Sequence, residues 1–511
     1  MVQALSNVRS FLRSVWERLC CRSKDRVGDD PDIASHQKDG QQDPTRTVPD
    51  KTQDDGDLEP RYFVQPVESA LYRALWPFES RDKDELSFQE GDLFRIVLRN
   101  GDWWMADKLD TMGRVVGKGF VPYNYLASGQ SVEGEPWYFG KLNRFETVKH
   151  LQAPENKDGA FMVRLSEKED VGYVLSVKDN NNVKHFKIYE VGGSFHVDNI
   201  QSFSSLAELV EYYKSHPLAS IQGLKIACAK IQPQPQDLSH STVDEFELPK
   251  EDFTLEKRLG SGYFADVYQG TWKNRTNVAI KVLKNEDLDQ REVQLEIQML
   301  KRYRHKHLIM LFAFCSSTPP YYIITELMEK GNLKSFLQGQ EGKVLDGNTL
   351  TNMSIQVADG MEFLESQQCI HRDLAARNVL VGENYICKVA DFGLARFIKD
   401  TVYVTDDKRM PYKWCAPETL SHGCYSSKSD VWSYGVLLYE IFSYGGLPYP
   451  GYGNGEMHSL LTNGYRMPAP PACPDRIYSI MKLCWSTAPE SRPSFKDLHC
   501  DLLHINDYDL E

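Results

Sequence analysis

Between Met353 and Asp391 the chain commits to one arrangement: a buried helix, a polar loop and a strand pair that ends on a carboxylate. Met353, Val357, Met361 and Leu364 recur at helical spacing, so a helix with an apolar face delivers the loop His371-Arg-Asp-Leu-Ala-Ala-Arg-Asn378. Val379-Leu-Val and Cys387-Lys-Val-Ala then read as two short strands, the second running into Asp391-Phe-Gly. Two acids and an amide on neighbouring loops suit a metal-phosphate reaction. Asp373 is placed to accept the proton of an attacking hydroxyl, and Asn378 with Asp391 to hold magnesium against nucleotide phosphates. The bland alternative, three polar residues capping turns, fits each residue alone but not the ordered set with its upstream partners.

Those partners begin at Leu259, with Gly260-Ser-Gly262-Tyr-Phe-Ala265-Asp-Val267. The first glycines let backbone amides approach phosphates. Dinucleotide-binding folds share such a loop but follow it directly with a helix. Here Val267-Tyr-Gln-Gly-Thr-Trp leads to Asn277-Val-Ala-Ile-Lys281-Val-Leu, which is strand, turn, strand, so the loop is a flap. Lys281, an amine inside an apolar strand, needs a partner. Glu296, on the helical pattern Val293, Ile297, Leu300, is placed to pair with it, either as a plain ion pair or while Lys281 holds the α/β-phosphates.

The catalytic loop, Val278-Ala-Ile-Lys281 and the lobe-joining Ile323-Ile-Thr325-Glu-Leu-Met328 together resemble the protein kinases. The resemblance implies a two-lobed α+β domain over residues 253–505 that uses ATP with magnesium, or manganese in its place. It assigns catalysis to Asp373, Lys281, Glu296, Arg377 and Asn378, and metal to Asn378 and Asp391. Nucleotide would lie among Leu259, Gly260, Ser261, Gly262, Tyr263, Phe264, Ala265, Val267, Ala279, Lys281, Thr325, Glu326 and Met328, with backbone groups of Glu326 and Met328 on adenine. Ala375-Ala-Arg377 after Asp373, and Pro411-Tyr-Lys-Trp414 before Ala416-Pro-Glu418, resemble the tyrosine-kinase form, although Cys415 stands where Thr or Met is common. Tyr403 lies in the loop whose phosphate Arg372 and Arg396 would bind. Glu418 with Arg492, and Asp430 with the catalytic-loop backbone, read as architecture.

Length and composition bound the remainder. A chain of 511 residues holds two to four domains, and a net charge of -13 argues against general nucleic-acid binding. The 11 cysteines lack metal-ligand spacing and a secretory signal, which places the chain in the cytosol or nucleus. No apolar run is long enough to span a bilayer. Residues 1–26 form a basic amphipathic segment, with Val8, Phe11, Leu12, Val15, Trp16 and Leu19 on one face and Arg9, Arg13, Arg18 and Arg22 elsewhere. It suits either peripheral membrane contact or docking on another domain. Cys20 and Cys21 are candidates for palmitate, whereas Val2 excludes N-myristoylation. Residues 27–68 are rich in Asp, Gln, Pro and Thr and read as a disordered linker.

Residues 69–130 carry short β-type runs: Leu75-Trp-Pro-Phe, Asp92-Leu-Phe-Arg-Ile-Val, Trp103-Trp-Met-Ala and Gly119-Phe-Val-Pro. The aromatics exceed what so small a core can bury, so several should pave the surface. Trp76, Phe78, Trp103, Pro122 and Tyr125 would form a groove for a polyproline II ligand, with Glu85 pairing a basic residue. This all-β barrel resembles a Src homology 3 domain, with Trp76-Pro77-Phe78 in place of the usual Tyr-Asp-Tyr. Residues 137–230 read helix, three strands, helix, an α+β order. Arg164 in the apolar strand Phe161-Met-Val-Arg-Leu-Ser calls for an anion or a salt bridge. With Trp137-Tyr-Phe-Gly and Asn182-Val-Lys-His-Phe-Lys, the segment resembles a Src homology 2 domain, which implies phosphotyrosine binding by Arg144, Arg164, Ser166, His185 and Lys187. Residues 231–252, with Gln232-Pro-Gln-Pro-Gln, form either a polyproline II cover for the barrel groove or a passive spacer. Phe246 stands where relatives commonly place Trp.

The whole chain resembles the Src-related non-receptor tyrosine kinases. The Ala-Ala-Arg order and Val2 point to the branch of breast tumour kinase, Frk and Srms. The resemblance implies protein tyrosine substrates. In the tail 506–511, Tyr508 with its acidic flanks is either a solvated residue or, because the chain carries its own phosphotyrosine-binding module, a site of inhibitory phosphorylation opposing activation at Tyr403. The rival class is an adaptor or pseudokinase, supported by Ala265 at the third flap glycine.

Overall fold

The computed structural model describes residues 71–129, 131–168, 171–180, 182–197, 201–233, 237–242, 246–261, 265–284, 290–392, 396–397, 403–404, 411–471 and 473–505. The amino-terminal segment 1–26, the linker 27–68, Gly262, Tyr263, Phe264 and Tyr508 lie outside the described residues.

The first unit is an antiparallel barrel of β1 (Leu71–Ala74), β2 (Leu93–Asn100), β3 (Trp103–Leu109), β4 (Val115–Pro122) and β5 (Leu126–Ser128), in the order β4-β3-β2-β1-β5. Residues 75–78 depart from the expected strand. Pro77 offers no N–H to a ladder, so pairing stops at Ala74 and resumes only as an isolated bridge from Phe78 to Phe88.

The second unit is built on β6 (Tyr138–Lys141), β7 (Ala160–Leu165), β8 (Tyr173–Asp179), β9 (Asn182–Lys187) and β10 (Ile226–Ala227), with helices α1 (Arg144–Gln152) and α2 (Leu206–Ser215). Asn143 caps α1 in a reciprocal capping box with Glu146. Leu206, Leu209, Val210 and Tyr213 are the buried face of α2 and join Phe161, Val163, Leu175 and Val177 in one core.

The third unit has two lobes. The smaller is a sheet of β11 (Phe253–Ser261), β12 (Ala265–Trp272), β13 (Thr276–Leu283), β14 (Leu311–Cys315) and β15 (Tyr322–Glu326), ordered β11-β12-β13-β15-β14, with helix α3 (Gln290–Arg302). The larger is helical. Its centre is α4 (Gly347–Ser366), in which Met353, Val357, Met361 and Leu364 are all fully buried, as their spacing requires. Around α4 lie α5 (Ser427–Phe442) and α6 (Phe495–Leu503), and the strands β16 (Val379–Val381) and β17 (Cys387–Val389) pair antiparallel below the catalytic loop. Among the described residues no helix is long and apolar enough to cross a membrane.

Candidate active site and binding modules

Three elements bring the charged residues together. In β13, Lys281 lies opposite Val267 of β12 and Ile323 of β15, so both neighbours on the ladder are apolar. Its Nζ is 2.7 Å from Glu296 Oε1 on α3 and 3.6 Å from Asp391 Oδ1. Burial works against the charge, but the two carboxylates outweigh it and hold the amine above the usual lysine range. Asp391 has left-handed backbone, φ +65°, and a side chain 53% exposed, so its carboxylate stands in the cleft rather than in the core.

The loop after α4 is fixed from below. Buried Asp430 accepts from the backbone amides of His371 at 2.7 Å and Arg372 at 2.9 Å, while Glu440 accepts from Ala376 N at 2.9 Å and Trp414 Nε1 at 2.9 Å. Asp373 is thereby presented from a rigid base. Its carboxylate takes the Asn378 amide at 2.7 Å and the Arg377 guanidinium. Burial pushes the Asp373 carboxyl above its usual range, and Arg377, His371 and Asn378 only partly offset this. A carboxylate raised in this way is a better base for a hydroxyl proton.

These residues fit nucleotide and a divalent ion. Asn378 Nδ2 is spent on Asp373, donating to both its carbonyl and its carboxylate at 2.7 Å, which turns the amide oxygen away as a free acceptor. That oxygen and the exposed Asp391 carboxylate form an all-oxygen donor set, suited to a hard cation. Leu259 is an exposed apolar side chain, and Val267 and Ala279 are half-buried, as an apolar slot beside Lys281 requires. One expectation narrows. The Glu326 amide donates to Met310 O at 3.2 Å and its carboxylate pairs with Lys388 at 2.7 Å, so what remains for a base is the second lone pair of its carbonyl, which already accepts the Thr325 hydroxyl at 3.2 Å. Thr325 and Ala279 face each other on the ladder beside it, Met328 is buried, and Ala265 is buried at the start of β12. Gly260 and Ser261 pair with Val267 and Asp266.

Arg492 binds Glu418 through two nitrogens at 2.6 and 2.8 Å, the expected strut. Tyr403 pairs through its backbone with Tyr425, the ring on which the buried Arg372 guanidinium stacks at 4.4 Å. The side chains of Tyr403 and Arg396 lie outside the described residues.

The barrel groove is not the open aromatic surface that the excess of rings led us to expect. Phe78, Trp103, Pro122 and Tyr125 are buried and Trp76 is half-buried. Phe78, Trp103 and Tyr125 pack into the barrel's own core, and the segment after residue 230 closes over Tyr125 from outside. Tyr125 donates to the Pro233 carbonyl at 2.8 Å, and Gln232 Nε2 donates to the Pro77 carbonyl at 3.3 Å. The His240 ring stacks on Phe120 at 3.3 Å. Glu85 accepts the His240 amide at 2.9 Å, and its burial raises the carboxyl above its usual range. Arg304, after α3, reaches Asp102 of the barrel at 3.1 Å and Asp237 at 2.7 Å. Phe246 packs on the catalytic core and accepts Phe314 N at 2.8 Å, so phenylalanine suffices for this seam.

In the second unit Arg164 is 4% exposed. Nη1 donates to Leu142 O at 2.9 Å, but Nε is buried without a hydrogen-bond partner. Burial, then neighbouring Arg144, pulls the guanidinium down to about 10. An orphaned donor on a buried cation is what an anion would satisfy. A cavity runs past it, lined by Asn143, Arg144, Arg164, Ser166 and Lys168 on this unit and by Ile355 and Leu503 of the catalytic domain. Sequence reading missed Lys168, which is half-buried and belongs to no periodic pattern, and could not find the last two, which are ordinary core-type residues of another domain. His185 and Lys187 are not in the cavity wall. His185 is buried at 1% exposure with Nδ1 2.9 Å from Ser176 Oγ, and burial drives its ring down to about 3.

With this geometry in hand, comparison with known proteins is specific. Residues 253–502 match the protein tyrosine and serine/threonine kinase family, 137–213 the SH2 domain and 73–122 the SH3 domain. Human protein-tyrosine kinase 6 is 50% identical over 442 residues, covering 86% of this chain and 97% of the relative. The mouse protein-tyrosine kinase 6 is 48% identical over 440 residues, with the same shares.

Proposed function

We propose, for a chain that belongs to the Src-related non-receptor protein-tyrosine kinases, that the cluster of Lys281, Glu296 and Asp391 facing Asp373, Arg377 and Asn378 performs the transfer. The enzyme is a protein-tyrosine kinase using ATP and a divalent metal, with modules for phosphotyrosine and proline-rich peptides. Bound ATP supplies the phosphoryl group, and the ion, magnesium in our reading, neutralises phosphate charge. Asp373 takes the tyrosine hydroxyl proton; Arg377 and Asn378 hold its carboxylate in place. Lys281, kept charged and oriented by Glu296, would anchor the α/β-phosphates, and Asn378 with Asp391 would hold the metal. The observation that carries this reading is the single-point convergence on Lys281, 2.7 Å from Glu296 and 3.6 Å from Asp391.

Regulation follows from the two covered sites. Gln232, Pro233 and His240 lie against the barrel groove, so a proline-rich ligand must displace them. Leu503 stands in the wall of the Arg164 cavity, and the chain continues from there to Tyr508. Five residues span up to about 17 Å, enough for a phosphate on Tyr508 to meet the orphaned Arg164 donor. That clamp opposes activation by phosphate on Tyr403, which Arg372 would receive. Tyr508→Phe should raise basal activity and enlarge the particle in small-angle scattering, and Arg164→Leu should reproduce both without adding to them. Unchanged activity and size, in protein carrying phosphate at Tyr508 before mutation, would remove the clamp. Residues 1–26 provide a peripheral membrane contact in this scheme; fused to a fluorescent protein, they should bind anionic vesicles more weakly as salt rises.

A further inference from the structure

The turn between β16 and β17 carries a tyrosine that the transfer reaction does not use. Val379, Val381, Cys387 and Val389 are fully buried, so both strands are anchored in the core of the larger lobe. Between them Glu383, Asn384 and Ile386 are exposed and Tyr385 is half-buried. Asn384 at φ +58° and Tyr385 at φ +60° are successive non-glycine residues in left-handed backbone, which ends the ladder and leaves the tyrosine at the hairpin tip.

Two cations from different domains converge on this ring. Lys149, on α1 of the phosphotyrosine module, places Nζ 4.4 Å over its centroid. Lys330 of the catalytic domain, whose amide donates to Val381 O at 3.0 Å, places Nζ 5.6 Å from the same centroid. The two ammonium groups differ in what else they hold. Lys330 pairs with Glu341 at 2.7 Å, and Glu341 is also, after burial, what holds the Tyr385 phenol above its ordinary range, so the hydroxyl lies beside that pair. Lys149 Nζ is buried without a hydrogen-bond partner among the described residues, and a ring face satisfies an ammonium less fully than a charged oxygen does. An ammonium stranded at a domain seam is what an added anion would satisfy. The same seam is tied by Asn143 Nδ2 donating to Asn352 Oδ1 at a long 3.4 Å, and by Lys306, 56% exposed, on Glu167 at 3.1 Å.

We propose that Tyr385 is a phosphorylation site, modified by a second copy of this chain, and that its phosphate takes Lys149 and Lys330 together and locks the phosphotyrosine module onto the catalytic domain. The γ-phosphoryl group passes to Tyr385 Oη as its bond to ADP breaks, and the hydroxyl proton goes to the second copy's Asp373. Transfer runs between copies because the anchored strands keep the tip out of its own cleft. The phosphate brings about −1.5 to −2 charges and three acceptor oxygens at pH 7. Lys149 gains the acceptors it lacks. Lys330 exchanges Glu341, 48% exposed and readily hydrated, for the stronger anion. One phosphate thereby bridges the two domains.

The test offers full-length Asp373→Asn chain as substrate to wild-type chain with ATP and magnesium, with poly-Glu-Tyr as a parallel substrate. Mass spectrometry should find phosphate on Tyr385. The site rests on the transfer activity assigned above, and the polymer separates the two: labelled polymer with no phosphate at Tyr385 overturns the site alone, whereas unlabelled polymer strikes the activity and the site with it. Chain phosphorylated at Tyr385 should bind an external phosphopeptide at Arg164 about 10-fold more weakly than chain carrying Tyr385→Phe and treated alike, since one hydrogen bond to a charged group is worth roughly that factor. Lys149→Met supplies a change of sign. In unphosphorylated chain it removes a stranded charge and weakens peptide binding; in chain phosphorylated at Tyr385 it removes the phosphate's partner and strengthens it. A purely structural Lys149 gives one sign in both. Equal or tighter peptide binding on phosphorylation of Tyr385, or a Lys149→Met effect that keeps its sign, overturns the proposal.

Discussion

Replacing Arg304 with Ala should release the segment that covers the barrel groove. The guanidinium donates to Asp237 at 2.7 and 3.2 Å and to Asp102 at 3.1 Å, and Asp237 is only 4% exposed. In the covered arrangement the mutation strands the Asp237 carboxylate in a buried position. In the released arrangement the same carboxylate is hydrated and loses nothing, so the cost falls on the covered state alone. Breaking a fully buried pair costs about 3–5 kcal/mol and an exposed one about 0.2–1 kcal/mol. Arg304 keeps 30% of its side chain in solvent, which places the loss between these limits. A value of about 2 kcal/mol corresponds to roughly a 30-fold shift toward release. Because release and ligand binding are linked, a proline-rich peptide should bind the full-length variant up to that factor more tightly, measured by fluorescence anisotropy. Basal transfer should rise with it. Peptide affinity and activity indistinguishable from wild type would refute the reasoning, since a segment that covers the groove must compete with the peptide.

Two further outcomes follow from the shifted groups. Asp373 works unprotonated and its carboxyl is raised by burial, so kcat/KM should fall on the acid side at a pH above the ordinary carboxylate range; Arg377→Ala, which removes a charge that lowers it, should move that limb higher still, and a limb that stays or moves down contradicts the assignment. Lys149 of α1 has its Nζ buried without a hydrogen-bond partner, 4.4 Å over the Tyr385 ring of the catalytic domain, and burial followed by Lys330 pulls the amine down to about 8. The docked form therefore binds fewer protons than the free one, so docking should tighten as pH rises through about 8 towards the ordinary lysine range, and Lys149→Met should tighten it at neutral pH. Looser modules in Lys149→Met, read as tighter phosphopeptide binding, would count against this.

What could be read from the sequence was whatever a local pattern encodes. The 3.6-residue spacing of Met353, Val357, Met361 and Leu364 gave α4, and an amine in an apolar strand demanded the partner that Glu296 supplies. Local reading failed where a distant residue decides. Tyr125 looks like a surface ring until Pro233, 108 positions later, covers it. The same holds for Arg304 with Asp102, and for Leu503 in the Arg164 cavity, because neither pairing leaves a periodic trace. Pro77 was a local signal that the strand expectation over residues 75–78 overrode, although a missing N–H should have ended that strand. Ala265, the support for a catalytically idle chain, is buried in β12 beside an intact set of charged residues.

The most direct measurement is transfer of radioactive phosphate from ATP to a poly-Glu-Tyr peptide by wild-type chain and by Asp373→Asn, with phosphopeptide binding at Arg164 measured on the same samples. A positioned general base contributes about 10²- to 10⁴-fold, so the variant should lose at least that range of activity while phosphopeptide affinity stays unchanged. Transfer by Asp373→Asn at more than roughly a tenth of the wild-type rate, where loss of the base should leave about a hundredth or less, would contradict the central assignment.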